Sequence, residues 1–163
     1  MSFAYSFDNT LDKPAFYAEL AQAAQGLMFG EKDRIANAAN FSALIFNTLV
    51  DVNWAGFYFY DGTELVVGPF QGLPACIRIP LGKGVCGTAA QIRQPQLVED
   101  VNQFPGHIAC DSASQSEIVI PLLVNDELMG VFDIDSPNLA RFDQEDLSGM
   151  EKVLDVFRLT LSE

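Results

Sequence analysis

The sequence is short of positive charge and almost without histidine. Its 163 residues include 9 Lys or Arg against 22 Asp or Glu, for a formal net charge of −13, and one histidine, His107. A chain this acidic repels phosphate backbones and anionic lipid, so neither nucleic acid nor a membrane surface is expected as a partner. It suits a binder of small molecules, particularly ones with an amino group, although acidity also serves simply to keep a cytosolic protein soluble. There are three cysteines, Cys76, Cys86 and Cys110, and no pair has Cys-x-x-Cys spacing. A structural zinc site would have to draw on all of them plus His107 from scattered loops, so no metal is expected. Gly82-x-Gly84 lacks the rest of a phosphate-loop motif, and no cofactor is expected. No stretch approaches the ~20 apolar residues of a membrane span. The first eight residues have neither a basic nor an apolar leader region, so the expected compartment is the cytoplasm, where structural disulfides are rare and reactive thiols are permitted. Repeats, linkers and low-complexity tracts are absent too.

Apolar residues make up 49% of the chain, enough for a substantial core in one domain spanning residues 1–163. Helical spacing predicts amphipathic helices over residues 14–28, 33–50 and 143–161, and a short one over 88–92 after the Gly-rich turn 82–87. Strands are predicted over 53–60, 64–70, 76–80, 96–99, 117–124 and 127–133. Asp61-Gly62 and Asn125-Asp126 are hairpin turns. Tight turns imply an antiparallel sheet, and helices at both ends of the chain must cover one of its faces. The expected class is an α+β sandwich.

Chemistry concentrates around residues 107–121. This stretch starts as a small polar loop bearing Cys110 and turns into an apolar strand headed by Glu117. The loop over 100–116 is long for a compact domain, as functional loops often are. Two readings of the cysteines stand side by side: three inert thiols, or thiol–disulfide chemistry in which one thiol attacks and another resolves. His107 lies close enough in sequence to Cys110 to raise a Cys-His hydrolase, but a loop histidine without a catalytic partner is the simpler reading. Asp133 and Asp135 share a strand face. Glu117 begins the neighbouring strand of the same hairpin, so the three carboxylates are expected to be neighbours. Clustered carboxylates repel, and such a group calls for a cation, a retained proton or a donor-rich ligand. Trp54 and Tyr58 share a face with Gly56 between them, an aromatic wall suited to an apolar or sulfur-bearing group.

Five segments together resemble one family. They are Trp54-Ala55-Gly56-Phe57-Tyr58, Gly68-Pro69-Phe70-Gln71-Gly72, Gly84-Val85-Cys86-Gly87, the run from Cys110 to Pro121, and Asp133-Ile134-Asp135-Ser136-Pro137. They closely resemble the free methionine-R-sulfoxide reductases, which are single GAF domains, and the likeness runs over almost the whole chain. The resemblance implies a GAF-like six-stranded antiparallel sheet with helices packed on its faces, commonly as a homodimer. It implies reduction of free L-methionine (R)-sulfoxide, with Cys110 as nucleophile and sulfenic-acid carrier. Cys76 becomes the principal resolving thiol through a Cys76–Cys110 disulfide, Cys86 an alternative resolver or relay, and thioredoxin the reductant. On this reading Glu117 or Asp135 donates a hydrogen bond to the sulfoxide oxygen and Asp133 holds the ammonium. The backbone around Val85 binds the carboxylate, and Trp54 and Tyr58 enclose the methyl and sulfur. A non-catalytic GAF sensor domain using the same pocket is the alternative.

Overall fold

The computed structural model describes residues 7, 8, 10–107, 110 and 112–162. The stretch expected to lack a leader lies largely outside the described residues, as do Ile108, Ala109 and Asp111 of the cysteine loop.

Helix α1 spans Lys13–Leu27 and α2 Arg34–Thr48. Both begin where aspartate can replace a missing helical acceptor: Asp12 accepts from the Ala15 N–H and Asp33 from the Ala36 N–H. Strands β1 (Trp54–Tyr60) and β2 (Glu64–Gly72) form the first hairpin, followed by β3 (Arg78–Pro80). Helix α3 (Gly84–Ile92), β4 (Gln96–Val98) and a 3-10 turn at Val101–Gln103 come next. The second hairpin is β5 (Ser116–Val124) and β6 (Glu127–Ser136), and α4 (Gln144–Leu161) closes the described chain. The six strands make one antiparallel sheet in the order β3-β2-β1-β6-β5-β4. Among the described residues, no helix is long and apolar enough to cross a membrane.

Several boundaries differ from expectation: β3 begins at Arg78 and leaves Cys76 in the segment before it, β2 runs on to Gly72, and two further shifts, in α3 and β6, shape the floor and wall of the site. The short helix was expected at residue 88 but starts at Gly84, which puts Val85 and Cys86 in its first turn. Gly84 has φ +63°, a left-handed entry that suits glycine, and this lets the chain turn into the helix earlier than the apolar pattern suggested. The strand expected to stop at Asp133 runs to Ser136, because Asp135 and Ser136 still pair with Glu117 and Ser116. The two aspartates are therefore inside a central strand, not at its frayed end.

Side-chain alternation divides the sheet into two chemistries. On one face Ala55 and Phe57 of β1, Ile118 and Ile120 of β5, and Phe132 and Ile134 of β6 meet α1, α2 and α4. At its centre four phenylalanines come from four elements. Phe41 of α2 lies 5.7 Å from Phe57, 5.1 Å from Phe132 and 5.7 Å from Phe157 of α4, ring centre to ring centre. Helix α4 is clamped to α1 by a polar knot: Tyr17 donates to the buried Asp146 at 2.8 Å, and Lys13 bridges Asp146 and Asp143 at 2.9 and 2.7 Å. Asp143 and Asp146 also form a capping box at the start of α4. On the other face Trp54, Tyr58, Val119 and Val131 meet α3. The helix-covered face expected from the sequence is present, and α3 covers part of the second.

Phe41→Ala removes a fully buried ring from the point where two strands and two helices meet. We expect it to lower unfolding free energy by about 3–5 kcal/mol, read as a lower urea midpoint at unchanged slope.

Candidate active site

The strand register assembles the floor of the site. Strand β6 lies between β1 and β5, pairing Asp135 with Trp54 on one side and Glu117 on the other, and Asp133 with Gly56 and Val119. Successive side chains point to opposite faces, so Glu117, Asp133 and Asp135 emerge together, away from the phenylalanine cluster. Gly56 puts no side chain over Asp133. A Cβ there would also collide with Phe70, where the β1–β2 pairing shifts register.

Above this floor is a pocket of about 540 Å³ including its open mouth. Trp54 and Tyr58 form one wall, their rings stacked with centroids 5.7 Å apart. Both also hold the segment that carries Cys76. The Trp54 indole N–H donates to the Leu73 carbonyl at 3.2 Å, and the Tyr58 hydroxyl donates to the Cys76 carbonyl at 3.1 Å. The opposite wall is the first turn of α3, through Gly84, Val85 and Cys86. The Lys83 side chain at the N-cap does not cap that helix, leaving its first-turn backbone N–H groups without a cap from that residue. His107, Cys110 and Ser114 line the pocket from the long loop. The feet of that loop are tied down: Val101 N–H donates to Gln115 O, and Gln115 N–H to Ser136 O.

Cys110 is joined to Cys76 by a disulfide, with Cα atoms 5.5 Å apart across a separation of 34 residues. Cys86 is a free, buried thiol whose Sγ lies 3.9 Å from Glu117 Oε1. The sulfur of Cys110 is thus engaged with another sulfur, which argues for thiol–disulfide chemistry and against a Cys-His hydrolase.

The electrostatics follow from burial of like charges. Glu117 and Asp133 are only 6% and 5% exposed. Burial, reinforced by the charge of Asp133, raises the Glu117 carboxyl well above the usual range. Burial and the charge of Asp135 do the same to Asp133. The Cys86 thiol is pushed up by burial and by Asp133 and Glu117, and the Tyr58 hydroxyl by burial and the same carboxylates. The floor therefore retains protons where an exposed carboxylate would have lost them. A carboxylic acid that stays neutral can donate a hydrogen bond to a weakly basic oxygen.

Trp54, Tyr58, Val85, Cys86, Cys110, Glu117, Asp133 and Asp135 all line this one pocket, and Cys76 joins it through the disulfide. His107, read from sequence as a loop residue without a catalytic partner, is part of the wall. Sequence reasoning missed Lys83 and the Leu73-Pro74-Ala75 segment. Lys83 had a signal, its place between two glycines, which was set aside with the phosphate-loop motif. Leu73 to Ala75 had none beyond adjacency to Cys76. Among the described residues, Cys86, Glu117 and Asp133 bring potential metal-ligand atoms within 4.8 Å of one another. This is a different set from the cysteines and histidine weighed on sequence.

Fold and site together define a class. The GAF domain family model matches residues 38–161. Free methionine-R-sulfoxide reductase of Escherichia coli is 51% identical over 144 residues, covering 88% of this chain and 87% of that protein. The protein of the same name from Saccharomyces cerevisiae is 43% identical, covering 91% of this chain and 87% of its own length. A solved structure of free methionine-R-sulfoxide reductase from Neisseria meningitidis in complex with its substrate superimposes with a TM-score of 0.91 at 39% identity, covering 97% of this chain and 95% of that one. Within the GAF domains, the chain belongs to the free methionine-R-sulfoxide reductase family.

The raised Glu117 carboxyl makes stability depend on pH in a defined sense. A buried acid that binds its proton more tightly when folded stabilises the fold below its unfolded pKa of about 4.3, and that contribution is lost as pH rises through the folded value. Glu117→Gln, made in the disulfide form, is expected to lose less stability than the parent between pH 5 and pH 8 in urea unfolding. Parallel pH profiles for the two proteins would mean that Glu117 ionises normally.

Proposed function

We propose that the chain reduces free L-methionine (R)-sulfoxide to L-methionine, acting as one catalytic domain over residues 1–163. The observation that carries this reading is the Cys76–Cys110 disulfide beside a pocket floored by proton-retaining carboxyls. A sulfoxide sulfur is a poor electrophile until its oxygen receives a proton or a strong hydrogen bond. Glu117, or Asp135 beside it in the sheet, supplies that donor. The thiolate of Cys110 attacks the sulfur, the substrate S–O bond breaks as its oxygen passes to the Cys110 sulfur to give a sulfenic acid, and methionine leaves as the thioether. Cys76 then attacks the Cys110 sulfur, water departs, and the disulfide forms. Between the two steps the Cys110 sulfur passes from the substrate to Cys76.

The rest of the pocket fits a free amino acid. The ammonium enters beside Asp133, where its charge favours the ionised carboxylate and leaves the shared proton on Glu117. The first turn of α3 around Val85 offers backbone N–H groups to the carboxylate. Trp54 and Tyr58 enclose the thioether end. With both main-chain groups held, a methionine sulfoxide within a peptide has no place to continue. Cys86 is the alternative resolver or relay, and its burial and raised thiol pKa favour Cys76 as the first resolver. Thioredoxin is the reductant on this reading, and exposed Leu73 and Ile77 on either side of Cys76 give a dithiol protein apolar footing there. A homodimer, as the family likeness implies, and a cytoplasmic setting complete this reading.

The test is to mix the reduced protein with one epimer of free methionine sulfoxide and measure methionine formed without reductant. We expect about one methionine per chain from the R epimer with Cys76→Ser, because attack precedes resolution. Cys110→Ser should release none; a full first turnover in that variant would move the nucleophile to another cysteine. A GAF sensor would bind the ligand without releasing methionine in any of these proteins. Glu117→Gln is expected to lower kcat by about 10²- to 10⁴-fold, the range for a lost general acid. Asp133→Asn should act mainly on KM.

A further inference from the structure

The floor that serves the proposed reduction also brings a buried thiol against two of its carboxyls. Cys86 Sγ, a Glu117 oxygen and an Asp133 oxygen lie within 4.8 Å of one another, and all three residues are buried. Asp133 Oδ1 is a buried acceptor without a hydrogen-bond partner. Burial acts most strongly on all three groups, followed by the charges of the trio's own members and of Asp135. The cluster is thus a compact set of buried donor atoms, and one of its residues carries an oxygen without a hydrogen-bond partner.

We propose that Cys86, Glu117 and Asp133 form a binding site for one thiophilic divalent cation of the Zn²⁺ or Cd²⁺ type. The donor set selects the class. One sulfur and two carboxylates suit a borderline-soft ion, whereas Ca²⁺ and Mg²⁺ take more oxygen ligands and no thiolate. The spacing agrees: zinc–sulfur and zinc–oxygen bonds in a tetrahedral shell hold the two donors about 3.6 Å apart, and Cys86 Sγ lies 3.9 Å from Glu117 Oε1. An entry path exists because all three residues line the open pocket. Binding displaces the thiol proton and the proton retained by the carboxyl pair to solvent, and the fourth position is left for water. The bound ion occupies the only sulfur of the three that the disulfide leaves free, together with both carboxylates that flank it. Glu117 and Asp133 serve both readings, but cation binding needs neither Cys76 nor Cys110 and is therefore tested apart from the reductase reading.

The experiment uses the whole protein with its Cys76–Cys110 disulfide intact, so that any cadmium–thiolate bond must come from Cys86. Cd²⁺ is titrated in and followed by the ultraviolet thiolate-to-cadmium charge-transfer band and by calorimetry, with Zn²⁺ as competitor. The expected result is one ion per chain, a charge-transfer band at saturation, and loss of that band when Zn²⁺ displaces Cd²⁺. Cys86→Ser should abolish the band and weaken binding at least tenfold. Asp133→Asn should keep the band and weaken binding at least tenfold. Saturation of the parent protein without the band overturns the proposal whatever the variants do, and so does a band unchanged in Cys86→Ser.

Discussion

Everything in this molecule depends on the register of β6 between β1 and β5. Because successive residues of a strand face opposite ways, a slip of one position would exchange the two faces. Phe132 and Ile134 would then point into the pocket, and Asp133 and Asp135 into the helical core. Neither exchange is tolerable, since a buried carboxylate among phenylalanines has no partner and no water. The apolar demand of α1, α2 and α4 on one side therefore positions the acids on the other. Packing of the core and aiming of the site are one constraint seen from two faces.

The acids are affordable because they do not all stay charged. Glu117 and Asp133 are buried beside Asp135, and the proton they retain replaces the counter-cation that a fully ionised cluster would need. The same arrangement raises the Cys86 thiol and leaves Asp133 Oδ1 without a hydrogen-bond partner. Stability and reactivity are thus set against each other at one place: each group that makes the floor acidic also makes it costly to bury. The opposite face, with its phenylalanine cluster and the Tyr17–Asp146–Lys13 knot, carries that cost.

The aromatic wall has a second task that its apolar character conceals. Trp54 and Tyr58 each spend their one polar hydrogen on a carbonyl of the segment leading to Cys76. A rigid strand thereby fixes an otherwise irregular stretch, so that its cysteine meets Cys110 with Cα atoms 5.5 Å apart. Cys86 is held differently, by the first turn of α3, and faces the acids rather than the loop.

The sequence alone determined the periodic parts. Alternation placed Trp54 with Tyr58 and Asp133 with Asp135, the hairpin turns implied an antiparallel sheet, and the helices at either end had to cover it. Motif likeness pointed to the GAF class and the reductase family, as the comparisons bear out. Tertiary structure alone decided where periodicity is silent. The start of α3 at Gly84 depends on a left-handed backbone that no apolar pattern marks. Extension of β6 through Ser136 depends on partners in β5. His107, Lys83 and the Leu73–Ala75 segment came to the pocket by the path of loops, whose course is set by a few long-range hydrogen bonds rather than by any repeat in the chain. The meeting of Cys86 with Glu117 and Asp133 joins a helix to two strands. Residues that far apart in sequence become neighbours only when the sheet and its covering helix close together, because proximity between separate elements is a property of packing and not of local pattern.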